Sequence, residues 1–331
     1  MLAERGASMR IKGRIHTVQR ARASRNAHGP NVTHTDRRTY NVRSLEREGG
    51  MPGAEERATD KLEVIMGAEG LKRLAASTVM VLGLGGVGSN CVEALARGGV
   101  GRLVVVDRDV VARSNINRQA IAFESTLGQR KVDVMEAMVR DINPACDVVK
   151  RHEFVLAENA DALYDECLSA CGGRIDYVVD AIDTVSTKLA LAELAQERGF
   201  PLISSMGAAN KLHPECLRIA DVYKTVNCPL SRIMRKECRK RGIRHLTVLY
   251  SCEEPVRTQA REGAARTERT DLGTASFMPP IMGQMVAGEV IRQLSGVGAD
   301  DDIRPALKQH DAAQAGTLEG RKRGHGEGAR P

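Results

Sequence analysis

Apolar runs and helix-patterned segments alternate along residues 69–205. Runs rich in β-branched residues are typical of strands buried on both faces of a parallel sheet, and apolar residues three or four positions apart indicate amphipathic helices. The predicted strands cover residues 79–84, 103–106, 148 onward, 177–182 and 201–205. The predicted helices cover residues 69–76, a segment ending at 98–99, 128–143, 157–171 and 185–198. This order predicts an α/β fold with a doubly wound, mostly parallel Rossmann-like sheet, whose site lies at the carboxyl ends of the strands.

The pattern changes after residue 205. Residues 229–245 predict a helix that is basic on most sides, and residues 246–250 predict a strand. Residues 280–294 predict a last apolar helix, rich in Met and Gly, whose apolar positions keep helical spacing. Such a stripe favours packing against the core or against a second subunit.

The charge of the 331-residue chain is concentrated at its start. Residues 1–50 hold eleven Lys/Arg and four Asp/Glu, which accounts for the whole formal net charge of +7. We therefore divide the chain into a basic tail (1–50), a globular domain (51–298) and a C-terminal tail (299–331). The C-terminal tail has the composition of a disordered segment. The basic tail is a disordered segment, an organelle transit peptide or sequence upstream of a misassigned start, and we favour a start at Met51.

The cysteines do not form a metal-binding pattern. Eight occur, with no C-x-x-C pair, and Cys167 and Cys171 alone share a predicted helix face. Two ligands do not make a structural zinc site, so we expect free thiols in a reducing, cytoplasmic compartment. The roles of Cys228 and Cys252 stay open. No apolar run is long enough to span a membrane.

A glycine-rich turn, GLGGVGSN, joins the first predicted strand to the next helix. Its glycines are Gly83, Gly85, Gly86 and Gly88. Glycines let the backbone approach phosphate groups, and the helix that follows offers free N–H groups at its N-terminus. Asp107 closes the second strand, at a spacing suited to a ribose hydroxyl. These features predict a nucleotide site, with a tight turn that binds no ligand as the alternative.

Charged and amide side chains follow at the other predicted strand ends. They are Asn115, Arg118, Gln119, Lys131 and Asp183. A nucleotidyl transfer uses arginine and lysine to neutralise phosphate charge and a carboxylate to hold Mg²⁺, whereas a dehydrogenase has no use for this set. Each residue alone has a structural alternative: Arg118 as a helix cap, Lys131 as a solvated helix residue, and Asp183 as a helix N-cap.

The stretches GLGGVGSN, VVDRDVVARSNINRQ, LGQRKVDVM and VVDAIDT resemble the ubiquitin-activating-enzyme-like superfamily, which has the ThiF/HesA/MoeB adenylating fold. SSMGAANKLHPECLRIADVYKT and FMPPIMGQMVAGEVI resemble its bacterial tRNA threonylcarbamoyladenosine dehydratase branch. The resemblance covers residues 57–296. It implies ATP and Mg²⁺ as cofactors and a tRNA substrate, whose threonylcarbamoyladenosine carboxylate becomes an acyl-adenylate before ring closure releases AMP.

The resemblance also implies roles for the candidate residues. The glycine loop faces the ATP phosphates, and the carboxylate that closes the second strand faces the ribose. Asn115, Arg118 and Gln119 line the α-phosphate side. Lys131 stabilises the leaving pyrophosphate, and Asp183 holds Mg²⁺.

The subunits of this superfamily pair, so the resemblance implies a homodimer; a sulfur-relay protein is a further possible partner. The family has an arginine that reaches the nucleotide of the partner subunit. By spacing, Lys61 stands at this position with Arg57 nearby, so either residue is a candidate for the contact.

The predicted basic helix is a candidate RNA surface. Its phosphate-contacting candidates are Arg232, Arg235, Lys236, Arg239, Lys240 and Arg244. The alternative is an ordinary solvated face. Aromatic residues make up 3% of the chain and Trp is absent, which argues against a stacking platform for single-stranded RNA.

Three other functions compete with tRNA threonylcarbamoyladenosine dehydration. The chain could adenylate the C-terminus of a ubiquitin-like sulfur-carrier protein, although the zinc cysteine pairs of that branch are absent. It could be a non-catalytic, nucleotide-sensing RNA-binding module. It could also be an NAD-dependent dehydrogenase, which would require NAD to bind better than ATP.

Overall fold

The computed structural model describes residues 56–256 and 272–298. The basic tail and the C-terminal tail lie outside the described residues, so the expectations about them stay predictions.

Within the described residues, seven strands form one sheet. They are β1 Thr78–Leu82, β2 Arg102–Val106, β3 Asp147–Arg151, β4 Tyr177–Asp180, β5 Leu202–Ser205, β6 Leu217–Asp221 and β7 Thr247–Ser251. The α-helices are α1 Asp60–Ala75, α2 Gly86–Arg97, α3 Lys131–Ile142, α4 Ala160–Ala170, α5 Val185–Arg198, α6 Pro229–Lys240 and α7 Met278–Ser295.

The strand order is β3-β2-β1-β4-β5-β7-β6. All neighbours are parallel except the edge strand β6, which runs antiparallel to β7. The order reverses between β1 and β4, and in such sheets a crevice opens at the carboxyl ends of these strands. The doubly wound, mostly parallel fold predicted from sequence is therefore confirmed. The sequence did not predict β6, because its five residues LRIAD are too short and too mixed to stand out.

The sheet is buried on both faces. In β1, Val79 and Val81 pack toward α2, α3 and α7, while Met80 and Leu82 pack toward α4, α5 and α6. Every residue of β1 is buried, which accounts for the continuous apolar run in the sequence.

The last helix, α7, packs directly on α2. At Gly283 an added Cβ would lie 2.4 Å from the carbonyl oxygen of Val87, so the two helices touch at their backbones. Met282, Val286 and Val290 are fully buried, so this stripe belongs to the core.

Two helices differ from the prediction. Helix α1 begins nine residues earlier than expected, at Asp60, and bends at Gly67, whose φ of 69° breaks the helical pattern. Helix α6 ends at Lys240 and is followed by Gly242 with φ 70°, so Arg244 lies beyond it. Helix α6 is also amphipathic, because it buries one face. No helix in the described part of the chain is both long and apolar enough to cross a bilayer.

Candidate functional site

A cavity of about 1100 Å³ opens at the carboxyl ends of β1, β2, β4 and β5. It lies where the strand order reverses, the expected ligand position in a doubly wound sheet. Cavities that bind small molecules usually measure roughly 300–1000 Å³. The cavity is therefore large enough for a nucleotide together with part of a second ligand.

The glycine loop forms one wall of the cavity. Gly83, Gly85 and Gly86 line it, and a Cβ added to Gly85 would meet nothing within 4 Å. Gly83 has φ 90°, a left-handed conformation that favours glycine. Gly88 departs from the prediction: it lies outside the cavity lining, and an added Cβ would be 1.7 Å from the carbonyl oxygen of Gly83. Gly88 therefore lets α2 pack against the loop.

Asp107 joins the end of β2 to the glycine loop. Its Oδ2 accepts a hydrogen bond from the backbone N–H of Leu84 at 2.6 Å, and its Oδ1 accepts one from Asp109 N–H at 2.7 Å. The carboxylate lines the cavity, and each oxygen keeps a further lone pair. Asp107 can therefore accept a hydrogen bond from a ligand hydroxyl while it fixes the loop.

Lys131 is a buried residue of the cavity wall, at the first position of α3. Its Nζ donates to Asp109 Oδ2 at 2.7 Å and lies 3.7 Å from Asp107 Oδ2. The alternative of a solvated helix residue is therefore wrong. The two carboxylates hold the ammonium group at the wall, where it can neutralise a ligand phosphate.

Arg118 and Asn115 line the cavity from the loop after β2. The Nη1 of Arg118 donates to the carbonyl oxygen of Ser114 at 3.0 Å and to Asn117 Oδ1 at 2.8 Å. The Oδ1 of Asn115 accepts from Ala112 N–H at 3.0 Å and closes the same loop. Arg118 is therefore held within its loop, where it bonds to a carbonyl oxygen of the short 3-10 helix Arg113–Asn115, and it caps none of the α-helices α1 to α7.

Gln119 gives the cavity wall an unused acceptor. Its side chain is 7% exposed, and its Oε1 has no hydrogen-bond partner. A buried carbonyl oxygen without a donor is costly, and a bound ligand is one way to satisfy it.

Asp183 lies on the cavity wall after β4, as predicted. The N-cap of α5 is Thr184, and Asp183 only accepts a long hydrogen bond of 3.5 Å from the hydroxyl of that residue. The N-cap alternative for Asp183 is therefore wrong. The described residues hold no group of three or more candidate metal ligands. A single exposed carboxylate fits Mg²⁺, which commonly takes one or two protein carboxylates and completes its shell with phosphates and water.

A buried ionic network shapes the turn that carries Asp183. Asp180 and Lys188 are both fully buried, with Lys188 Nζ 3.0 Å from Asp180 Oδ2. The hydroxyl of Ser204 donates to the same oxygen at 2.6 Å, and Ile182 N–H donates to Asp180 Oδ1 at 3.1 Å. The sequence placed Asp180 at a strand end, but nothing in the spacing identified Lys188 as its partner.

Lys211 is a second cavity-lining lysine that sequence reasoning missed. It lies in the loop after β5 and is 2% exposed. A lone lysine in GAANKL carries no recognisable motif, so no signal in the chain could have identified it.

The predicted RNA-contacting residues have different environments. Arg232, Lys236 and Arg244 are exposed. Lys240 pairs with Glu237 of its own helix, and Arg239 lies over the ring of Tyr223. Arg235 departs from the prediction, because it is half-buried and donates to the carbonyl oxygen of Thr225 at 2.8 Å.

Both candidates for a cross-subunit contact lie near the start of α1. Arg57 pairs with Asp60 at 2.9 Å and with Glu63, and Lys61 is exposed. The structure contains a single copy of the chain, so the role of Lys61 or Arg57 across an interface stays a prediction.

The cysteines are free, and six of the eight are buried. Burial raises the pKa of the Cys167 thiol to about 11, which disfavours the thiolate that zinc requires. Cys228 has a structural role, because its Sγ accepts from Ser231 N–H at 3.4 Å and caps α6. Cys252 lies half-buried opposite Cys216, at the ends of β7 and β6.

Comparison with known proteins gives one consistent result. The model of the ThiF family matches residues 57–324. The tRNA threonylcarbamoyladenosine dehydratase of Bacillus subtilis (strain 168) is 42% identical over 241 residues, which cover 70% of this chain and 92% of that protein. The protein of the same name from Escherichia coli (strain K12) is 34% identical over 175 residues, or 53% of this chain and 63% of that protein.

Solved structures with a similar fold carry the same protein name as these sequence relatives. The E. coli tRNA N6-threonylcarbamoyladenosine dehydratase in complex with ATP matches with a TM-score of 0.61 at 26% identity, over 74% of this chain and 99% of that chain. Its complex with AMP matches with a TM-score of 0.62 at 28% identity, over 75% and 100% of the two chains. Sequence, fold and the position of the glycine-lined cavity lead to one conclusion: the chain belongs to the ThiF family.

Proposed function

We propose that the chain is an ATP-dependent tRNA threonylcarbamoyladenosine dehydratase that works through a carboxyl-adenylate. The observation that carries the proposal is that one cavity brings together the glycine loop, Asp107, Lys131, Arg118 and Asp183. Relatives that carry this name in two bacteria, one of them solved with ATP, support the assignment.

The first chemical step activates the carboxyl carbon, which becomes electrophilic once the carboxylate has been adenylated. The carboxylate of the tRNA-borne threonylcarbamoyl group attacks the α-phosphorus of ATP, a new carboxyl–phosphorus bond forms, and pyrophosphate leaves. Lys131 and Arg118 supply positive charge to the phosphate oxygens, which stabilises charge that develops during the transfer. Asp183 would hold a Mg²⁺ ion, which when bound adds further neutralisation of the phosphates.

The second step is ring closure. A nucleophilic atom of the neighbouring carbamoyl group attacks the activated acyl carbon, AMP leaves with its electron pair, and the carbamoyl group loses one N–H proton to solvent. The net change in the base is the loss of one water, whose oxygen remains on AMP. Without activation, the carboxylate would have to expel oxide or hydroxide, which is a poor leaving group. Adenylation replaces it with AMP, which is a good leaving group.

The exposed cations of α6 are the proposed tRNA contact. Arg232 and Lys236 lie on the exposed face of this helix, and Arg244 follows it. Contacts of this kind act on phosphates and depend strongly on salt. Replacement of Lys236 by Ala should weaken tRNA binding and reduce the salt dependence of binding by about one phosphate contact.

We also propose a homodimer and a cytoplasmic location, which suits a tRNA-modifying enzyme. Val64 and Ile65 on α1 are 87% and 69% exposed, and a pair of large apolar side chains at the surface is a feature of interfaces. Sedimentation at micromolar concentration should give a dimer, and a monomer alone would contradict the proposal. A sulfur-relay partner stays a prediction from the resemblance.

The direct test is incubation with ATP, Mg²⁺ and tRNA that carries threonylcarbamoyladenosine, followed by mass spectrometry of the nucleosides. We expect the modified nucleoside to lose one water and AMP to form in equal amount, with no change when ATP is left out. Binding of ATP and tRNA without AMP release would indicate the nucleotide-sensing module. Pyrophosphate exchange that depends on a Gly-Gly-ended protein would indicate the sulfur-carrier adenylyltransferase.

A further inference from the structure

Lys211 is a buried cation on the cavity wall with no carboxylate partner among the described residues. Its side chain is 2% exposed, and its Nζ donates to the backbone carbonyl oxygen of Glu253. A buried charge that meets no opposite charge is costly. By comparison, Lys131, the other buried lysine of the cavity wall, is held between two carboxylates.

The neighbouring carboxylate is used elsewhere. Both oxygens of Glu253 accept from Leu212 N–H at 3.1 Å, and one of them also accepts from His213 N–H at 3.1 Å. Glu253 therefore fixes the backbone that follows Lys211, and within residues 56–256 and 272–298 the ammonium group pairs with no carboxylate. An anionic ligand in the cavity would supply the negative charge that the described residues do not give Lys211.

The loop that presents Lys211 is firmly held. The preceding residue, Asn210, has φ 56°, and its side-chain Oδ1 accepts from Gly273 N–H at 2.8 Å. Its backbone N–H donates to the carbonyl oxygen of Gly273 at 2.8 Å, and its carbonyl oxygen accepts from Val256 N–H at 2.9 Å. Asn210 is left-handed and held by three hydrogen bonds, so it fixes the backbone from which the Lys211 side chain extends. Lys211 is therefore held at the cavity wall before a ligand binds.

The position of Lys211 in the sheet separates it from the nucleotide features. The glycine loop follows β1 and Asp107 follows β2, whereas Lys211 follows β5, on the other side of β4. With strands about 4.8 Å apart, the end of β5 lies roughly 10 Å from β1 and 14 Å from β2. A nucleotide bound over β1 and β2 leaves this end of the cavity for the second ligand.

We propose that Lys211 binds the carboxylate of the tRNA-borne threonylcarbamoyl group and holds it for attack on ATP. This inference rests on the proposed function, which supplies an acidic second substrate. Lys211 is then a specificity determinant: it recognises the one charge that distinguishes the modified base from plain adenosine.

The test uses the full chain as wild type, Lys211→Met, Lys211→Arg and, as a matched control, Lys72→Met. Lys72 is an exposed lysine in the last turn of α1. Three quantities are measured: the Kd of ATP, the kcat/KM of AMP formation with modified tRNA at saturating ATP, and the ratio of the Kd values of unmodified and threonylcarbamoylated tRNA without ATP.

We expect Lys211→Met to lower kcat/KM by about 100-fold, the scale of a lost buried charge contact, mainly through KM. The ratio of tRNA affinities should fall toward one, the Kd of ATP should stay within about two-fold of wild type, and Lys211→Arg should recover part of the loss. The melting temperature should not fall, because an unpaired buried charge is removed. Lys72→Met should behave as wild type.

An unchanged ratio of tRNA affinities in Lys211→Met would overturn the inference. A weaker affinity for ATP with an unchanged kcat/KM for modified tRNA would also overturn it, and would assign Lys211 to the ATP phosphates. If Lys211→Met does not fold, Lys211→Gln gives the same comparison with a polar side chain, and failure of both variants to fold would assign Lys211 a structural role. A wild-type protein that dehydrates no modified tRNA would instead refute the proposed function. The ratio of tRNA affinities, compared between wild type and Lys211→Met, would still test the role of Lys211.

Discussion

Lys188→Met should destabilise the protein severely although Lys188 lies outside the cavity lining. The substitution keeps the length and most of the volume of the side chain but removes its charge. Asp180 would then stay fully buried with one oxygen facing Ser204 and no cation beside it. The small loss of stability that follows removal of a surface lysine does not apply here, because Lys188 and Asp180 are both inaccessible to water.

The magnitude follows from this burial. Removal of one partner of a buried ion pair costs about 3–5 kcal/mol, because the other charge is left uncompensated. In a cooperative unit of about 150–250 residues, each kcal/mol lowers the melting temperature by about 2–4 °C, so the expected fall is roughly 6–20 °C. A double variant, Lys188→Met with Asp180→Asn, leaves a neutral amide that can still bond to Ser204, and should recover most of the loss.

Thermal unfolding followed by circular dichroism measures the effect. The matched control is Lys150→Met, which removes an exposed lysine from its ion pairs with Asp133 at 2.7 Å and the half-buried Glu136 at 2.6 Å. Exposed pairs contribute less than about 1 kcal/mol, so this variant should melt close to wild type. Equal melting temperatures for Lys188→Met and Lys150→Met would refute the argument. A double variant that melts as low as the single Lys188→Met would also refute it.

Three further predictions test the site and its frame. Asp183→Asn should lower ATP turnover to AMP by a factor of ~100 with unchanged melting temperature, because Thr184 and not Asp183 stands at the N-cap position of α5, and near-normal turnover would remove Asp183 from the site. Gly88→Ala should prevent folding or lower the melting temperature sharply, since the added Cβ would lie 1.7 Å from a loop carbonyl oxygen; Gly85→Ala, which meets nothing within 4 Å, should fold normally in the same circular dichroism assay. Iodoacetamide at mildly alkaline pH should label the half-buried Cys216 and Cys252 before the six buried cysteines, and peptide mass spectrometry showing the reverse order would contradict the structure.

The sequence predicted the sheet and the cavity because both depend on local pattern. Apolar β-branched runs mark strands buried on both faces, and parallel strands bring their carboxyl ends to one edge. Residues that follow different strands, such as Asp107 and Asp183, therefore line the same cavity, and this can be predicted without knowledge of any contact.

The residues that the sequence did not reveal depend on contacts between distant segments. Lys188 is a buried ion-pair partner because α5 packs over the end of β4. Among the described residues Lys211 has no carboxylate partner, because Glu253 is bonded to the backbone. Gly88 is required because the carbonyl oxygen of Gly83 lies where a Cβ of residue 88 would be. Spacing along the chain carries no information about such partners.

The packing of α7 on α2 has a consequence for synthesis on the ribosome. The glycine loop leads directly into α2 near the start of the domain, but one face of α2 is covered by α7, the last helix of the described residues, with Gly283 against Val87. A nascent chain that stops before residue 278 leaves that face of α2 exposed to water. We therefore expect stalled chains of this length to bind ATP weakly and to recruit chaperones, so that the nucleotide site forms only after α7 has been synthesised.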